Sequence, residues 1–445
     1  MKPLLFAMFG VLATGLSFST PSSAQLSDTL SPVGAILAGN KEGTIPAWTG
    51  GIKQPPAGYK VGQQHPDPYA ADPILSTITT ANLDAYRSQL SDGIIKLMEK
   101  HPSFKVNVYP SHRSAALPER IYQSSIRNAQ SAELAFRGHG VTGAVAGIPF
   151  PVPENGQQAI WNHTMRYRGD AVEYTASRTA VQPDGSYDLA KLKRQVFFNY
   201  GRAGLEESDL KNTLFFYKHK IIEPPRSAGT SLLLKETIDQ VVAPRKGWQY
   251  YPDQRKVRRL PGLAYSDIMP DTSGMLTADT ADMYNGALDK YDWELKGRQE
   301  FIVPYNSYKL HGSDVQYEDI IKPGTMNPDL LRYELHRVWV VEATLRTGIK
   351  HPYAKRRFYI DEDSWQILMV DIYNAEGELI HYQEAHPINY YEVPLVLSTA
   401  EVIYDLTDGR YFVDGLSNQE DEYDFSVQLK KRDFTSAGLR REGGR

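Results

Sequence analysis

The chain has 445 residues, no cysteine, and a formal net charge of −4 at pH 7. The lack of cysteine excludes disulfides, thiolate metal ligands and a cysteine nucleophile, and the mild charge argues against a general binder of nucleic acid or anionic membranes. A chain of this length can bury enough apolar surface to fold without such crosslinks.

The N-terminal segment, residues 1–24, predicts a cleaved secretion signal. Lys2 precedes an apolar run, and Ser22-Ser23-Ala24 supplies the small residues that signal peptidase accepts. The run is too short to span a bilayer, and the chain has no cysteine for lipid attachment. We therefore expect a soluble periplasmic protein that is cut after Ala24 and is not a lipoprotein.

Residues 25–75 are dense in glycine and proline, as in the run "GTIPAWTGGIKQPPAGYKVG". Such a sequence cannot continue as a helix or a central strand, so we predict an irregular arm that wraps the body. Residues 76–445 are then a single domain, with helices within about 80–168, a β-sheet within about 170–423 and a C-terminal tail.

Apolar residues at spacings of three and four predict two amphipathic helices, one from about Leu83 to Met98 and one within "PERIYQSSIRNAQSAELAF". Further along, the alternate prolines from Pro149 to Pro153 force an extended lead-in. Asn155 can then cap a short helix that carries Trp161.

From about residue 170 the apolar pattern has a period of two and is interrupted by turn residues, which predicts a many-stranded antiparallel sheet. The segments 361–364 and 374–377 suit hairpin turns. In the run "HRVWVVEATL" both alternating sets are apolar, with Val338 on one side and Trp339 on the other. Because a sheet that faces water has one polar face, we expect both faces to be covered.

Several long irregular blocks resemble a bacterial exported family, domain of unknown function 1329, whose members are similar to outer-membrane lipoprotein-sorting proteins. The blocks include "LSPVGAILAGNKEGTIPAWTGGI", "HPSFKVNVYPSHRSAALPERIY", "GIPFPVPENGQQAIWNHTMRYRG" and "GWQYYPDQRKVRRLPGLAYSD". The resemblance implies an α+β fold like that of LolA and LolB, an incomplete barrel whose strongly curved antiparallel sheet surrounds an apolar cavity. Helices would cover the concave side, and the irregular arm would precede them.

The resemblance also makes one set of side chains candidates to line a cavity, with ordinary sheet core as the alternative. They are Trp161, Met165, Tyr167, Trp248, Tyr250, Trp339, Phe358 and Trp365. A second set could meet anionic headgroups or an acidic partner, or could protect the edge of the sheet. It consists of Arg255, Lys256, Arg258 and Arg259.

No pattern in the sequence is typical of an active site or a metal centre. The eleven histidines include no His-Glu-x-x-His pair, and no G-x-S-x-G element indicates a serine hydrolase. The acidic run at 361–363 is interpreted as a hairpin turn, because adjacent acids point in different directions and cannot flank one glycosidic bond. We therefore expect no catalysis, no cofactor and no metal.

These observations and the resemblance predict a periplasmic carrier or accessory protein that binds a lipophilic small molecule or lipid. The resemblance implies that it works with an inner-membrane transporter of the resistance-nodulation-division type and with an outer-membrane protein; nucleic acid is not an expected partner. Two alternatives stay open. One is a carbohydrate-active enzyme or binder, suggested by 28 tyrosines and six tryptophans, and the other is an interaction scaffold whose arm binds an outer-membrane protein.

Overall fold

The computed structural model describes residue 26 and residues 28–260, 266–269 and 272–443. The predicted secretion signal lies outside the described residues. Within these ranges the helices, α1 to α7, are Asp92–Lys100, Glu119–Ser131, Gly156–Met165, Glu207–Leu210, Tyr308–His311, Tyr317–Ile320 and Ser436–Gly443. None of them is long and apolar enough to cross a membrane.

The strands, β1 to β17, are Ser76–Ile78, Val106–Tyr109, Glu133–Leu134, Val141–Thr142, Ala171–Val181, Ala190–Phe197, Phe216–Glu223, Ser231–Lys235, Lys246–Tyr251, Lys256–Leu260, Tyr291–Pro304, Tyr333–Leu345, Lys355–Asp361, Ile367–Tyr373, Leu379–Tyr390, Leu395–Asp405 and Tyr411–Leu416. All but β3 and β4 belong to one large sheet, in the order β1-β2-β12-β13-β14-β15-β16-β17-β5-β6-β7-β8-β9-β10, and β11 also pairs with β12. Among the described strands β10 pairs only with β9, so the sheet is open. The predicted α+β class, with a curved and mostly antiparallel sheet, is confirmed.

Both faces of the sheet are buried, as the alternation in β12 predicts. Val338 joins a core cluster that contains Ile94 and Leu97 of α1, whereas Trp339 joins a cluster that contains Ile160 of α3. The two clusters lie on opposite faces, since neighbouring residues of a strand point to opposite sides. Each face of the sheet is therefore covered by its own helix.

The predicted helices are present, with one change of boundary. Asn155 caps α3 as predicted, because its side chain accepts a hydrogen bond from the Gln158 backbone N–H at 3.0 Å. The first helix is shorter than the expected span from Leu83 to Met98: α1 begins at Asp92, and the preceding residues form two short 3-10 turns. Ser91 accepts from a backbone N–H of the first turn and sets this boundary.

The arm is ordered against the body although, from residue 29 to residue 75, it contains no helix and no strand beyond an isolated bridge. The Trp365 indole N–H donates to the carbonyl of Val33 at 2.9 Å. The Asn389 amide donates to the carbonyl of Ile52 at 2.9 Å. These bonds to distant strands replace the ladder that an irregular segment cannot make.

Candidate functional site

A pocket of about 230 Å³ lies between strands β5 to β8 and the residues 269 and 281–285. Its main wall consists of side chains from one face of four successive strands, because residues two apart along a strand point to the same side. One cross-strand row is apolar except for a phenol and contains Val172, Val196, Tyr217 and Leu234. The next row is more polar and contains Tyr174, Arg194, His219 and Leu232.

The deep apolar part of the pocket includes Phe198 and Phe215. The guanidinium carbon of Arg168 lies 4.9 and 5.2 Å from the centroids of these two rings, which is within the range of cation–π attraction. A volume of about 230 Å³ is below the roughly 300–1,000 Å³ of ordinary small-molecule sites. The pocket therefore fits a short amphiphile, or one end of a longer one.

Two carboxylates in the pocket are held by arginines. Asp282 accepts hydrogen bonds from Arg166 at 2.5 and 3.1 Å and another from Arg168. Asp414 accepts two hydrogen bonds from Arg194, one of them at 3.1 Å. Burial opposes ionisation of both carboxyls, but the guanidinium groups outweigh it and hold both pKa values below the usual range. These two acids are therefore ionised at neutral pH.

Arg178 differs from the other arginines that line the pocket. It lies on β5 opposite Asp414 of β17, but the Asp414 carboxylate is bound by Arg194. Arg178 is only 8% exposed, and no carboxylate within the described ranges forms an ion pair with it, although its charge helps to lower the pKa of Asp414. Because a buried charge is costly unless it is paired, this guanidinium is a candidate to bind an anion.

Two further titratable groups are mostly neutral at pH 7. Burial, together with the carboxylates of Asp282 and Asp414, raises the pKa of Glu401 to about 8. Burial and two neighbouring guanidinium groups hold the pKa of His219 well below its usual value. The lining thus presents three guanidinium groups to two carboxylates, which leaves an excess of positive charge.

The eight side chains expected to line a cavity do not line this pocket. Six of them lie in the core cluster of the α3 face: Trp161, Met165, Tyr167, Trp339, Phe358 and Trp365. Tyr250 is buried in a smaller cluster against which Trp248 packs. Whether any of the eight contacts a ligand stays a prediction.

The sequence contains a different signal for this pocket. In the alternating pattern of two strands, a charged residue occupies a position on the buried side, namely Arg178 on β5 and Arg194 on β6.

The predicted basic set lies at an edge of the sheet. Arg255 occupies the turn before β10, and the other three residues are on β10 itself, which pairs only with β9 among the described strands. All four are exposed, and they border a shallow hollow together with two basic residues of α7. The six basic residues are Arg255, Lys256, Arg258, Arg259, Arg440 and Arg441.

Fold and pocket together define a class: α+β proteins built on one large, curved, open antiparallel sheet with a small amphipathic pocket. Residues 77–440 match the model of the family described as "Protein of unknown function (DUF1329)". The chain belongs to this family, which confirms the resemblance found in its sequence blocks.

The chain is 41% identical over 445 residues to an uncharacterised protein of Pseudomonas aeruginosa, with 98% of each chain covered. Similar solved structures include an outer membrane lipoprotein-sorting protein domain from Vibrio parahaemolyticus (TM-score 0.44, 14% identity, 64% of this chain and 98% of that chain). A LolA superfamily protein from Nitrosomonas europaea is also similar (TM-score 0.37, 15% identity, 64% and 98%). These structural likenesses are distant, and neither indicates what this chain binds.

Proposed function

We propose that this protein is a periplasmic carrier or accessory protein that binds an amphiphile with an anionic head group in the pocket between β5 and β8. The observation that carries the proposal is Arg178, a guanidinium that is 8% exposed and has no ion pair among the described residues. A carboxylate or phosphate of the ligand would supply the missing charge-assisted hydrogen bonds.

The apolar wall beside Arg178 supports a ligand with a hydrocarbon part. Val172, Val196 and Leu234 lie in one row across strands β5 to β8, with Tyr217 between the last two. Each methylene that contacts such a wall gains about 0.8 kcal/mol on leaving water. Arg178 also borders a wider and more polar cavity of about 630 Å³. A head group at Arg178 can thus be reached from solvent while the chain lies against the apolar wall.

Partners enter this proposal through the family resemblance. The carrier would receive or deliver its ligand at an inner-membrane transporter of the resistance-nodulation-division type and at the outer membrane. The basic edge, defined as Arg255, Lys256, Arg258 and Arg259, is the proposed surface for anionic headgroups or an acidic partner. The six basic residues around the hollow at this edge would attract an anionic surface, and this attraction would weaken as salt is added.

The test is a pair of fluorescent probes with the same chain, dansyl-labelled undecanoic acid and its methyl ester. We expect the acid to bind the purified protein at least ~10-fold more tightly than the ester, since a hydrogen bond to a charged group contributes about 1.5–3 kcal/mol. Native mass spectrometry of protein taken from its own periplasm, followed by lipid extraction, should return an anionic amphiphile. Equal binding of both probes would contradict the anionic head group, and turnover of a glycan would favour the enzyme.

A further inference from the structure

Two histidines and a glutamate that are far apart in the chain converge at one point of the fold. His65 belongs to the arm, His311 is the last residue of α5, and Glu422 follows β17. His65 and His311 are 4% and 1% exposed, and the Glu422 side chain is 11% exposed. This convergence is independent of the pocket, whose lining contains none of these three residues.

Three potential ligand atoms at this point have no hydrogen-bond partner: His65 Nδ1, His311 Nε2 and Glu422 Oε2. One ligand atom of each residue lies within 4.8 Å of those of the other two. His65 Nδ1 is 3.3 Å from one Glu422 oxygen, and His311 Nε2 is 3.2 Å from the other.

These two separations are longer than the most frequent N–H···O distance of about 2.9–3.0 Å. They are close to the roughly 3.3 Å that separates two ligand atoms when each lies about 2.0–2.1 Å from a tetrahedral metal ion. Each imidazole nitrogen thus lies at a ligand-to-ligand distance from an oxygen of Glu422, and one ligand atom of each of the three residues lies within 4.8 Å of the others.

The second nitrogen of each imidazole is bonded in the manner of a metal site. His65 Nε2 lies 2.8 Å from a carboxylate oxygen of Glu392, and His311 Nδ1 lies 2.8 Å from the Thr399 hydroxyl. In metal sites such partners accept the N–H of a ligating histidine, fix its tautomer and turn its lone pair toward the ion. With these tautomers, both lone pairs are on the nitrogens that face Glu422.

A second group of close ligand atoms, from His336, Asp361 and Asp363, provides a comparison, because protein donors bind its carboxylates. Arg113 donates to both oxygens of Asp363, at 2.6 and 2.9 Å. Tyr305 donates to Asp361 at 3.0 Å. Both oxygens of Asp363 are therefore taken by Arg113, and only one oxygen of Asp361 has no hydrogen-bond partner, so this second group offers fewer free ligand atoms.

The competing account of the first group is a protonated imidazole held by two glutamates. Although burial lowers it, the neighbouring carboxylates of Glu392 and Glu422 raise the pKa of His65 to about 9. This account explains the contacts of His65 but leaves buried His311 Nε2, 3.2 Å from a Glu422 oxygen, without a well-aligned hydrogen bond. A metal ion satisfies both imidazoles at once.

We propose that His65, His311 and Glu422 form a site for a divalent first-row metal ion, with Zn²⁺ the best match to two imidazoles and a carboxylate. The ion joins the arm to α5 and to the segment after β17. In a chain without cysteine, this is a crosslink that can hold an irregular arm, and its binding free energy adds to folding stability.

The test is metal analysis of the exported full-length protein, made without a polyhistidine tag and purified without chelator. We expect about one Zn²⁺ per chain, as for a single mononuclear site. Removal of the metal with dipicolinate should lower the unfolding temperature, and added Zn²⁺ should restore it. Since neither readout involves the amphiphile, failure of this proposal leaves the proposed function untouched.

Variants distinguish the proposed metal ligands from the residues that form hydrogen bonds to those ligands. Glu392→Gln should weaken Zn²⁺ binding by ~10–100-fold, the usual effect of losing such a partner, and His65→Gln should weaken it further. His336→Gln is the matched control, because His336 is also 1% exposed and should leave Zn²⁺ binding unchanged.

A spectroscopic readout covers the case in which a variant does not fold. Co²⁺ bound to the unmodified apoprotein should give the visible absorption of a tetrahedral nitrogen and oxygen site, and Zn²⁺ should displace it. Substoichiometric metal, an unfolding temperature that does not respond to Zn²⁺ and the absence of this absorption would overturn the proposal in favour of the protonated imidazole.

Discussion

Two buried arginines of this protein have opposite surroundings. Arg113 is 5% exposed and donates to Asp363 at 2.6 and 2.9 Å and to Glu362 at 3.1 Å. Arg178 is 8% exposed and has no ion pair among the described residues. At similar burial, one arginine therefore binds two acidic side chains directly and the other makes no ion pair within the described ranges.

This difference distinguishes an arginine that stabilises the fold from one that is available to bind a ligand. Arg113 also donates to the carbonyl of Ile36 at 2.7 Å, so its paired charge fixes the arm to the turn between β13 and β14. Arg178 makes no comparable link between distant segments within the described ranges and lines the amphipathic pocket. Because an unpaired buried cation is destabilising, we infer that Arg178 is retained for its ligand.

The largest effect should come from breaking the paired site. Arg113→Met leaves Asp363 buried without its ion-pair partner, although Glu362 keeps two other arginines, and should lower the free energy of unfolding by ~3–5 kcal/mol. Urea unfolding measures this change in the free energy of unfolding. The control is Arg346→Met, which removes an exposed ion pair with Asp292 and should cost at most ~1 kcal/mol. Equal costs for the two variants would contradict the architectural role of Arg113.

A comparable loss of unfolding free energy is expected for Trp161→Ala. This variant tests whether the α3 face is a packed core or a ligand cavity. Trp161 is 1% exposed, and its indole N–H donates to the Gly138 carbonyl at 3.0 Å. Truncating a buried tryptophan to alanine costs about 3–5 kcal/mol, and thermal unfolding detects it. An unchanged unfolding midpoint would show that the side chain is exposed and would return it to the ligand candidates.

A smaller effect concerns the pH dependence of the unpaired site. Glu401 faces Asp282, Asp414, Arg166 and Arg194, and its ionisation above pH 8 adds a negative charge near the pocket. Binding of the acid probe should weaken ~3–10-fold between pH 7 and pH 9, as about 1 kcal/mol of added repulsion would produce. Glu401→Gln should abolish this dependence, and the ester probe should not show it in either protein.

The same carboxyl group contributes to stability with a defined sign. Its folded-state pKa of about 8 is raised above the ordinary value of 4.5. Its contribution is therefore fully present below pH 4.5 and is lost as the pH rises toward 8. Unfolding in urea at several pH values should show Glu401→Gln gaining on the unmodified protein across this window, and a difference that is flat with pH would contradict the raised pKa.

The smallest effect on folding is expected at the basic edge. Reversing Arg258 and Arg259 to Glu changes exposed charges, so the free energy of unfolding should move by no more than ~1 kcal/mol. If this edge meets anionic headgroups, the double variant should lose salt-sensitive binding to vesicles that contain phosphatidylglycerol. Binding identical to that of the unmodified protein at low and moderate salt would leave these charges the role of protecting a sheet edge.

Local signals in the sequence predict much of the fold. The Asn155 cap, the turn at 374–377 and the alternation of Val338 with Trp339 all act over a few residues, and the structure confirms each of them. The start of α1 was less predictable, because apolar spacing continues through the turns that precede Ser91.

The candidate site depends on long-range pairing, which these signals do not contain. Arg113 meets Asp363 across 250 positions of the sequence, and His65 meets Glu392 across 327. Trp339 and Trp365 were candidates to line a cavity because they are aromatic. In the structure their two rings stack on each other in the core, with centroids 5.9 Å apart. Which arginine stays unpaired follows only from the complete set of neighbours.

The most direct test of the central claim is Arg178→Met, with two readouts on one protein. The account predicts that the acid probe loses its advantage over the ester, while the free energy of unfolding stays the same or rises, because the substitution removes an unpaired buried charge. Arg258→Met, at an exposed position, should change neither readout. Loss of stability with an intact preference for the acid would contradict the account and make Arg178 a structural residue like Arg113.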